Sequence, residues 1–372
     1  MSNAAANEKK KENMTLRALY FIAIVFVVDG HTSLADMFDM ESLFRYYSFH
    51  LMLFAFGSGY FFSRRASWMD DLAHRAKRML LPMYLWNAVY GVGATLLRRF
   101  GGFELGEPLS AYTLLIAPLV DGEQFVYNLG SWFIFPLFLC QTLYALLDRL
   151  TARLRGGDYL AFACCLLAGG VVTQLTYEQQ NAALPLFLNR TLILLPGYAF
   201  GVLYRRRLER LDTLPTVPYL TVIVVLRALL CARYDNLAYL LSNCTYFGCD
   251  AFGVYAGALL AIAFYLRIAR LLAPLMERSR FALAVSRHTF DIMMHHYMGF
   301  FALNCVFLLL NKFSLGAADF SVRALRTVRG YCYAPGQRSE WDVLYLLAGL
   351  ALPLAIAFVQ EKLLSLLAQR KR

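Results

Sequence analysis

The run RALYFIAIVFVVDGH, Arg17 to His31, decides the fold. It opens on a cation, continues without a polar residue for most of its length, and closes on Asp-Gly-His. Carried on over residues 16–36, it has the roughly 20 residues that a helix needs to cross a bilayer. An ionisable side chain at the centre of such a helix costs about 2.5–3.5 kcal/mol on insertion scales, so Asp29 and His31 are expected to face protein or water rather than lipid. That makes them candidates for function. The plainer alternative is a histidine satisfied by a neighbouring helix.

The rest of the composition agrees with a membrane protein. Of the 372 residues, 59% are hydrophobic, 15% aromatic and only 16% charged, and the mean hydropathy is +0.49. A soluble domain carries about 25% charge. The net charge of +11 is read as basic loops on one membrane face, and no nucleic-acid partner is needed to explain it. The polar leader MSNAAANEKKKENMT runs into a full-length apolar segment without a small-residue cleavage site, so it is read as preceding a retained span and not as a signal peptide.

Apolar runs of spanning length occur near 16–36, 44–63, 79–97, 131–147, 159–175, 189–204, 217–233, 250–267, 287–311 and 342–361. The expected fold is therefore an all-α polytopic bundle of about ten transmembrane helices, forming a single domain over 1–372. The leader, the loops 64–78, 148–158, 205–216 and 267–287, and the C-terminus hold 24 of the 36 lysines and arginines. The positive-inside rule then places both termini in the cytoplasm. Two outer loops are long. Residues 98–130 are acidic, and residues 312–341 carry Lys312, Arg323, Arg326, Arg329 and Arg338, as either a functional lid or an amphipathic helix on the membrane face. Cys140, Cys164, Cys165, Cys231 and Cys305 lie in apolar runs as packing residues, whereas Cys244, Cys249 and Cys332 fall in outer loops where a disulfide is permitted. No CxxC pair is present, and no metal is expected. No internal repeat is read, and no appended soluble domain is expected to finish a reaction outside, so any partner is expected to come to the bundle itself.

Polar residues inside the spans supply the candidates for chemistry. On a helix at 100° and 1.5 Å per residue, Arg17 and His31 fall within roughly 40° of each other and about 21 Å apart, one at each mouth of a tunnel. Asp29 points to the opposite face, as a partner for another helix. In FHLMLFAFGSGYFF, Phe49 to Phe62, the small residues Gly57, Ser58 and Gly59 admit a neighbouring backbone, and His50 stands at the level of His31 if the first two spans are antiparallel. RAKRMLLPMY, Arg75 to Tyr84, gives a basic approach to span 3, either a topology signal or a mouth for phosphates, to which the arginine fork is suited. GSWFIFPLF, Gly130 to Phe138, opens span 4 with Trp132, which would serve equally as an interfacial belt residue. The densest cluster is RHTFDIMMHHYMGF, Arg287 to Phe300. There His288, Asp291 and His295 lie within about 60° of each other, while His296 is turned roughly 80° from His288. Asp291 and His295 are spaced i, i+4, so the carboxylate could orient the imidazole as a base, or the two could simply neutralise each other.

Taken together these runs resemble the integral-membrane acyltransferase-3 family, whose members acylate bacterial surface polysaccharides. The resemblance spans most of the chain and rests on VVDGHTS, FHLMLFAFGSGYFF, RAKRMLLP, SWFIFPLF and TFDIMMHH in that order. It implies O-acylation of a glycan in the cytoplasmic (inner) membrane of a bacterium, commonly with acetyl-CoA as the donor substrate. It maps the family's essential span 1 histidine onto His31 and its basic pair onto Arg75 and Arg78. The family's span 9 histidine maps onto His296, where the helix-face reading favours His295; both are kept. The family's span 1 cation falls at Tyr20, with Arg17 on the same face one turn earlier.

The resemblance and the residues lead to one expectation. An acyl thioester is already activated, so what transfer requires is a base of near-neutral pKa for the acceptor hydroxyl, and histidine supplies it. The chain is expected to be a membrane O-acyltransferase with His31 as general base, supported by His50, His295, His296 and Asp291, and with Arg17, Arg75 and Arg78 holding the acyl-CoA. Its partners would be that donor, a glycan or lipid-linked glycan acceptor, and membrane lipids. The rival reading is a transporter whose buried Asp29, His31, Arg227 and Asp291 form a path for protons or solute.

Overall fold

The structure is a computed structural model that describes residues 12–32, 40 and 43–370. In chain order the helices are α1 (Met14–Asp29), α2 (His50–Tyr60), α3 (Trp68–Gly101), α4 (Ala117–Val120), α5 (Ile134–Thr151), α6 (Gly157–Gln179), α7 (Leu186–Leu203) and α8 (Thr216–Arg233). A small antiparallel hairpin follows, β1 (Tyr239–Leu240) and β2 (Tyr246–Phe247), with Tyr239 opposite Phe247. Then come α9 (Ala251–Arg278), α10 (Arg280–Arg287), α11 (Thr289–Lys312), α12 (Val322–Thr327) and α13 (Asp342–Arg370). The protein is an all-α polytopic bundle. Among the described residues, eight helices are long and apolar enough to cross a membrane: α3, α5, α6, α7, α8, α9, α11 and α13.

The first two expected spans differ from that pattern. α1 has 16 residues and α2 only 11, and residues 33–36 of the first expected span lie outside the described residues. The run near 44–63 is not one helix because Tyr46–Ser48 form a 3₁₀ turn and Phe49, at φ −157°, leaves the helical region. Non-helical backbone at membrane depth persists only where protein surrounds it. These two helices are accordingly enclosed: Leu19, Ile24, Val28, Phe49, Ala55 and Phe56 are all at most 1% exposed. α1 packs against α2, α9, α10, α11 and α13, and α2 packs along α7. That α2–α7 contact depends on small residues. A Cβ at Gly59 would strike the Tyr198 carbonyl, and one at Gly201 would strike the Phe56 carbonyl.

Local signals explain where the helices start and stop. Asn13 caps α1 by accepting from the Leu16 N–H at 3.1 Å, and Ser67 caps α3, which then carries Asp70 and Asp71 in its first turn and Arg98 and Arg99 in its last, the charge order a helix dipole favours. α3 has 34 residues, so the apolar run expected near 79–97 is the inner part of a helix that begins before it. Gly102, at φ +66°, ends it in the left-handed conformation.

The two long loops at the end away from the basic loops are both bound to the bundle. Residues 124–130, the end of the expected outer loop, are all buried, so this part folds inward before it enters α5. Asn304 of α11 donates to the Tyr331 carbonyl at 2.6 Å and accepts from the Tyr333 N–H at 3.2 Å and the Tyr345 hydroxyl at 2.7 Å. It thereby anchors the segment between α11 and α13. All eight cysteines are free, including Cys244, Cys249 and Cys332.

Candidate active site

His31 follows the end of α1, and its Nδ1 lies 3.1 Å from Nε2 of His296 on α11. The rings are nearly parallel, 5.0 Å between centroids. Nδ1 of His296 lies 3.0 Å from the carbonyl oxygens of both Ile292 and Met293. A carbonyl only accepts, so this nitrogen carries the proton, and in the neutral ring Nε2 is left as an acceptor. With both rings neutral, His31 must then donate from Nδ1. The consequence falls on the far side of the His31 ring: its Nε2 is the bare, basic nitrogen.

His31 lines a cavity with about 570 Å³ of empty space. Ile24 and Val27, on the turns of α1 before His31, together with Leu51 and Phe54 of α2 make it apolar, and Tyr239 to Ser242 of the hairpin segment complete its wall. His50 lines the same cavity, with Nδ1 2.6 Å from the Tyr46 carbonyl. By the same reasoning its Nε2 is an acceptor. The spacing expectation that the first two spans bring His31 and His50 together is therefore met in space, although through a broken second helix.

The buried segment before α5 helps to close this cavity, and of its residues only Trp132 stood out in the sequence. Trp132 is buried and lines the cavity rather than sitting in an interfacial belt. Gly130 lies against the Met293 carbonyl so closely that a Cβ would collide with it. This is one of the two carbonyls that set the His296 tautomer. Arg190 of α7, only 2% exposed, stacks on Trp132 with 4.6 Å to the ring centroid. It donates to the Asp121 carbonyl at 2.9 Å and to the Ser242 carbonyl. It thus ties together two segments of the cavity wall, and nothing in its sequence context except its place in an apolar run would have singled it out.

Other expected site residues lie elsewhere. His295 turns away from His31: its Nδ1 is 2.8 Å from the Tyr90 hydroxyl of α3, and Trp86 packs edge-on at 4.2 Å. Asp291 does not orient it, because its carboxylate is 3.1 Å from Nδ1 of His288. The i, i+4 pair of the sequence is replaced by an i, i+3 pair, since His295 is drawn towards α3. Asp29 is fully buried and accepts from the Tyr46 hydroxyl at 3.4 Å. Arg227 donates to the Leu43 carbonyl at 2.6 Å and to Ser48 Oγ at 2.7 Å, which holds the turn before α2. These two ionisable groups thus each bind the segment between α1 and α2.

At the basic end, a second and larger cavity has about 1390 Å³ of empty space and is lined by Arg17, Arg205 and Arg206. Arg17 donates to the Ser286 carbonyl at 3.1 Å and lies 3.5 Å from Glu12. Arg287 holds the Glu12 carboxyl below the usual carboxylate range, with Arg17 adding to the effect against the cost of desolvation. Arg205 donates to the Tyr60 carbonyl at 3.0 Å. Arg206 is bound to Asp148 at 2.6 Å and Asp158 at 2.9 Å. Of the basic pair read from the sequence, Arg75 is buried in an ion pair with Asp71 at 3.0 Å and also contacts Gln141 and the Ser63 carbonyl, each at 3.0 Å. Arg78 is exposed. Between the two cavities the Tyr20 ring lies against Phe54 and Phe61, with centroids 6.0 and 6.3 Å away.

Among the described residues, no group of three or more His, Cys, Asp or Glu side chains is placed to hold a metal ion. What the site offers is a histidine whose tautomer is set by a second histidine, on the wall of a largely apolar cavity, with a separate arginine-lined cavity at the basic end. A sequence model of the acyltransferase-3 family, described as an acyltransferase domain, matches residues 16–359. No curated protein and no solved structure matches the chain. The match takes in both histidines and every helix that forms the two cavities, and the chain belongs to the acyltransferase-3 family of multi-pass membrane acyltransferases.

Proposed function

We propose that this acyltransferase moves an acyl group, acetyl in the simplest case, from cytoplasmic acyl-CoA to a hydroxyl of a surface or capsular polysaccharide or its lipid-linked precursor. The basic end is then cytoplasmic and the membrane is the bacterial inner membrane. One observation carries the reading: Nδ1 of His31 is engaged by His296, 3.1 Å away, which leaves Nε2 free to take a proton at the cavity wall. Arg17, Arg205 and Arg206 offer the CoA phosphates charge-assisted hydrogen bonds, with Arg78 extending the cationic rim. Arg75, held by Asp71, contributes by fixing the start of α3. The apolar cavity between the mouth and His31 suits the uncharged thioester arm, which displaces the Tyr20 ring as it enters.

The chemistry then balances within the chain. Nε2 of His31 removes the acceptor hydroxyl proton as the oxygen attacks the thioester carbonyl carbon. The C–S bond breaks, the ester C–O bond remains, and the imidazolium returns its proton to the departing thiolate, giving free CoA-SH. His296 keeps its own Nδ1 proton on the α11 carbonyls and accepts from His31 throughout, so the imidazolium formed on His31 keeps a hydrogen-bond acceptor. The test is in cells: delete the gene, measure surface-glycan O-acetylation by NMR and mass spectrometry, and complement with wild type or His31→Ala. Wild type should restore the O-acetyl signal and His31→Ala should not. Full restoration by His31→Ala would sink the mechanism.

A further inference from the structure

Beside the large arginine-lined cavity at the basic end lies a second, polar cleft, with about 700 Å³ of empty space. Arg64, Asp148, Thr151, Asp158, Arg206 and Arg207 are among the residues that line it. Its room for water-sized molecules is about 340 Å³, where a single water needs about 10–15 Å³, so a phosphate group with the sugar that carries it fits. Arg206 lines both hollows. The run of three arginines from Arg205 to Arg207 explains how. It leaves α7 in a π-helical turn, Tyr204–Leu208, which gives Arg205 to the large cavity, Arg207 to the cleft and Arg206 to both. Such turns are rare and recur at functional sites.

The charges in the cleft form a chain. Asp148, near the end of α5, accepts from Arg64 at 3.1 Å and from Arg206 at 2.6 Å. Asp158, at the start of α6, accepts from Arg206 at 2.9 Å and from Arg207 at 2.5 Å. The carboxylates lie deep, 7% and 13% exposed, whereas the three arginine side chains are 36–43% exposed and so face the opening. Each guanidinium is held by one edge. Nε and Nη2 of Arg64 and both terminal nitrogens of Arg207 make no hydrogen bond among the described residues. Two arginines would neutralise two aspartates, and the third leaves one positive charge over. Guanidinium groups already fixed in place, with free N–H edges and a surplus charge, match a phosphate, whose oxygens accept from arginine in pairs.

We infer that this cleft receives the 3′-phosphate of coenzyme A while the large cavity beside it receives the pyrophosphate. The inference rests on the acyl-CoA reading above and adds which part of the donor each hollow takes. Coenzyme A carries both anionic groups on one ribose, the pyrophosphate at the 5′ oxygen and a phosphomonoester at the 3′ oxygen. A ribose beside Arg206 sends one group into each hollow. Arg64 and Arg207 are then the residues that distinguish coenzyme A from its 3′-dephospho form, and they do not touch the reacting atoms.

The test uses the full-length protein in nanodiscs of phosphatidylcholine, titrated by calorimetry with coenzyme A and with 3′-dephospho-coenzyme A. Wild type should bind coenzyme A about 5- to 30-fold more tightly, the worth of two partly exposed charge pairs, and the ratio should shrink as salt is raised. Arg64→Gln with Arg207→Gln should raise the coenzyme A Kd to that of the dephospho form and leave the latter unchanged, a pattern that a general loss of structure does not produce. Arg207→Gln alone should lose part of the ratio, and it stands in if the double variant does not fold. The inference is overturned if wild type binds the two ligands equally, or if the full ratio survives in the variants. Phosphatidylglycerol that copurifies with wild type and not with the double variant, without any coenzyme A ratio, would assign the cleft to a lipid phosphate and also overturn it. Labelled acetyl transfer separates the two readings. A ratio lost in the variants, with no transfer from acetyl-CoA by wild type, refutes acyl transfer from coenzyme A and leaves the phosphate subsite standing. Transfer with the same KM for acetyl-CoA and its 3′-dephospho form refutes the subsite alone.

Discussion

The coupling between His31 and His296 yields a double-mutant test with a defined size. Replacing His296 by Leu removes the acceptor for the His31 Nδ1 proton at a site where His296 is fully buried. A buried donor left without its partner costs about 1–3 kcal/mol, so the population of His31 with a basic, correctly aimed Nε2 should fall about 5- to 150-fold, and kcat with it. Removing the base itself by His31→Ala should cost about 10²–10⁴-fold, the usual worth of general base catalysis. Because His296 acts only through His31, the double variant should be no slower than His31→Ala alone, giving a coupling of about 1–3 kcal/mol. His296→Gln, whose amide can accept from His31 and donate to the Met293 carbonyl, should lose less than His296→Leu. The assay is the initial rate of [14C]acetyl transfer from acetyl-CoA to extracted surface polysaccharide in proteoliposomes. If the two single losses multiply in the double variant, His296 acts independently of His31 and the tautomer argument is wrong.

Further outcomes follow from the surrounding contacts. Gly130→Ala would push a methyl group into the Met293 carbonyl; it should cost about 1–3 kcal/mol of stability, read as a lower thermal midpoint, and reduce kcat by disturbing His296. An unchanged midpoint and rate would show that the segment before α5 does not press on α11. Arg190→Met should lower the thermal midpoint by the loss of two charge-assisted bonds to the Asp121 and Ser242 carbonyls, about 1.5–3 kcal/mol each, and an unshifted midpoint would contradict its role as a tie. Arg75→Met leaves buried Asp71 with only Arg149, 3.4 Å away, and should destabilise by about 3–5 kcal/mol, most of which Asp71→Leu restores. If Arg75→Met instead raises only the KM for acetyl-CoA, Arg75 is a ligand of the donor after all. Arg17→Ala with Arg205→Ala should raise that KM about 10- to 150-fold per charge-assisted bond lost, with a weaker salt dependence than wild type. An unchanged KM would place the donor elsewhere.

Much of the architecture is legible in the chain itself. The apolar runs announce the bundle because each bilayer-spanning helix must satisfy its own backbone, and eight of the ten appear as helices of spanning length. The first two runs fail as regular spans for a reason hydropathy does not see. Tyr46–Ser48 and Phe49 break the second run while remaining apolar, and only enclosure by other helices makes that break tolerable. Residues 124–130, the end of the outer loop 98–130, are irregular as expected but buried, because polar residues such as Gln124 and Asn128 suggest water where the structure has protein.

The sequence by itself determined the membrane bundle, its basic end, and the presence of histidines at 31, 50, 295 and 296 in apolar surroundings. Only the tertiary structure decided which of them meet. His295 and His296 are neighbours in the chain but point about 100° apart on α11, so one step of sequence sends one to Tyr90 and the other to His31. A helical period gives the angle between side chains, and it carries no information about which helix stands on each side. That choice is made by lateral packing, through contacts such as Gly130 on Met293 and Arg190 on Trp132, which join residues far apart in sequence and leave no periodic signal in it.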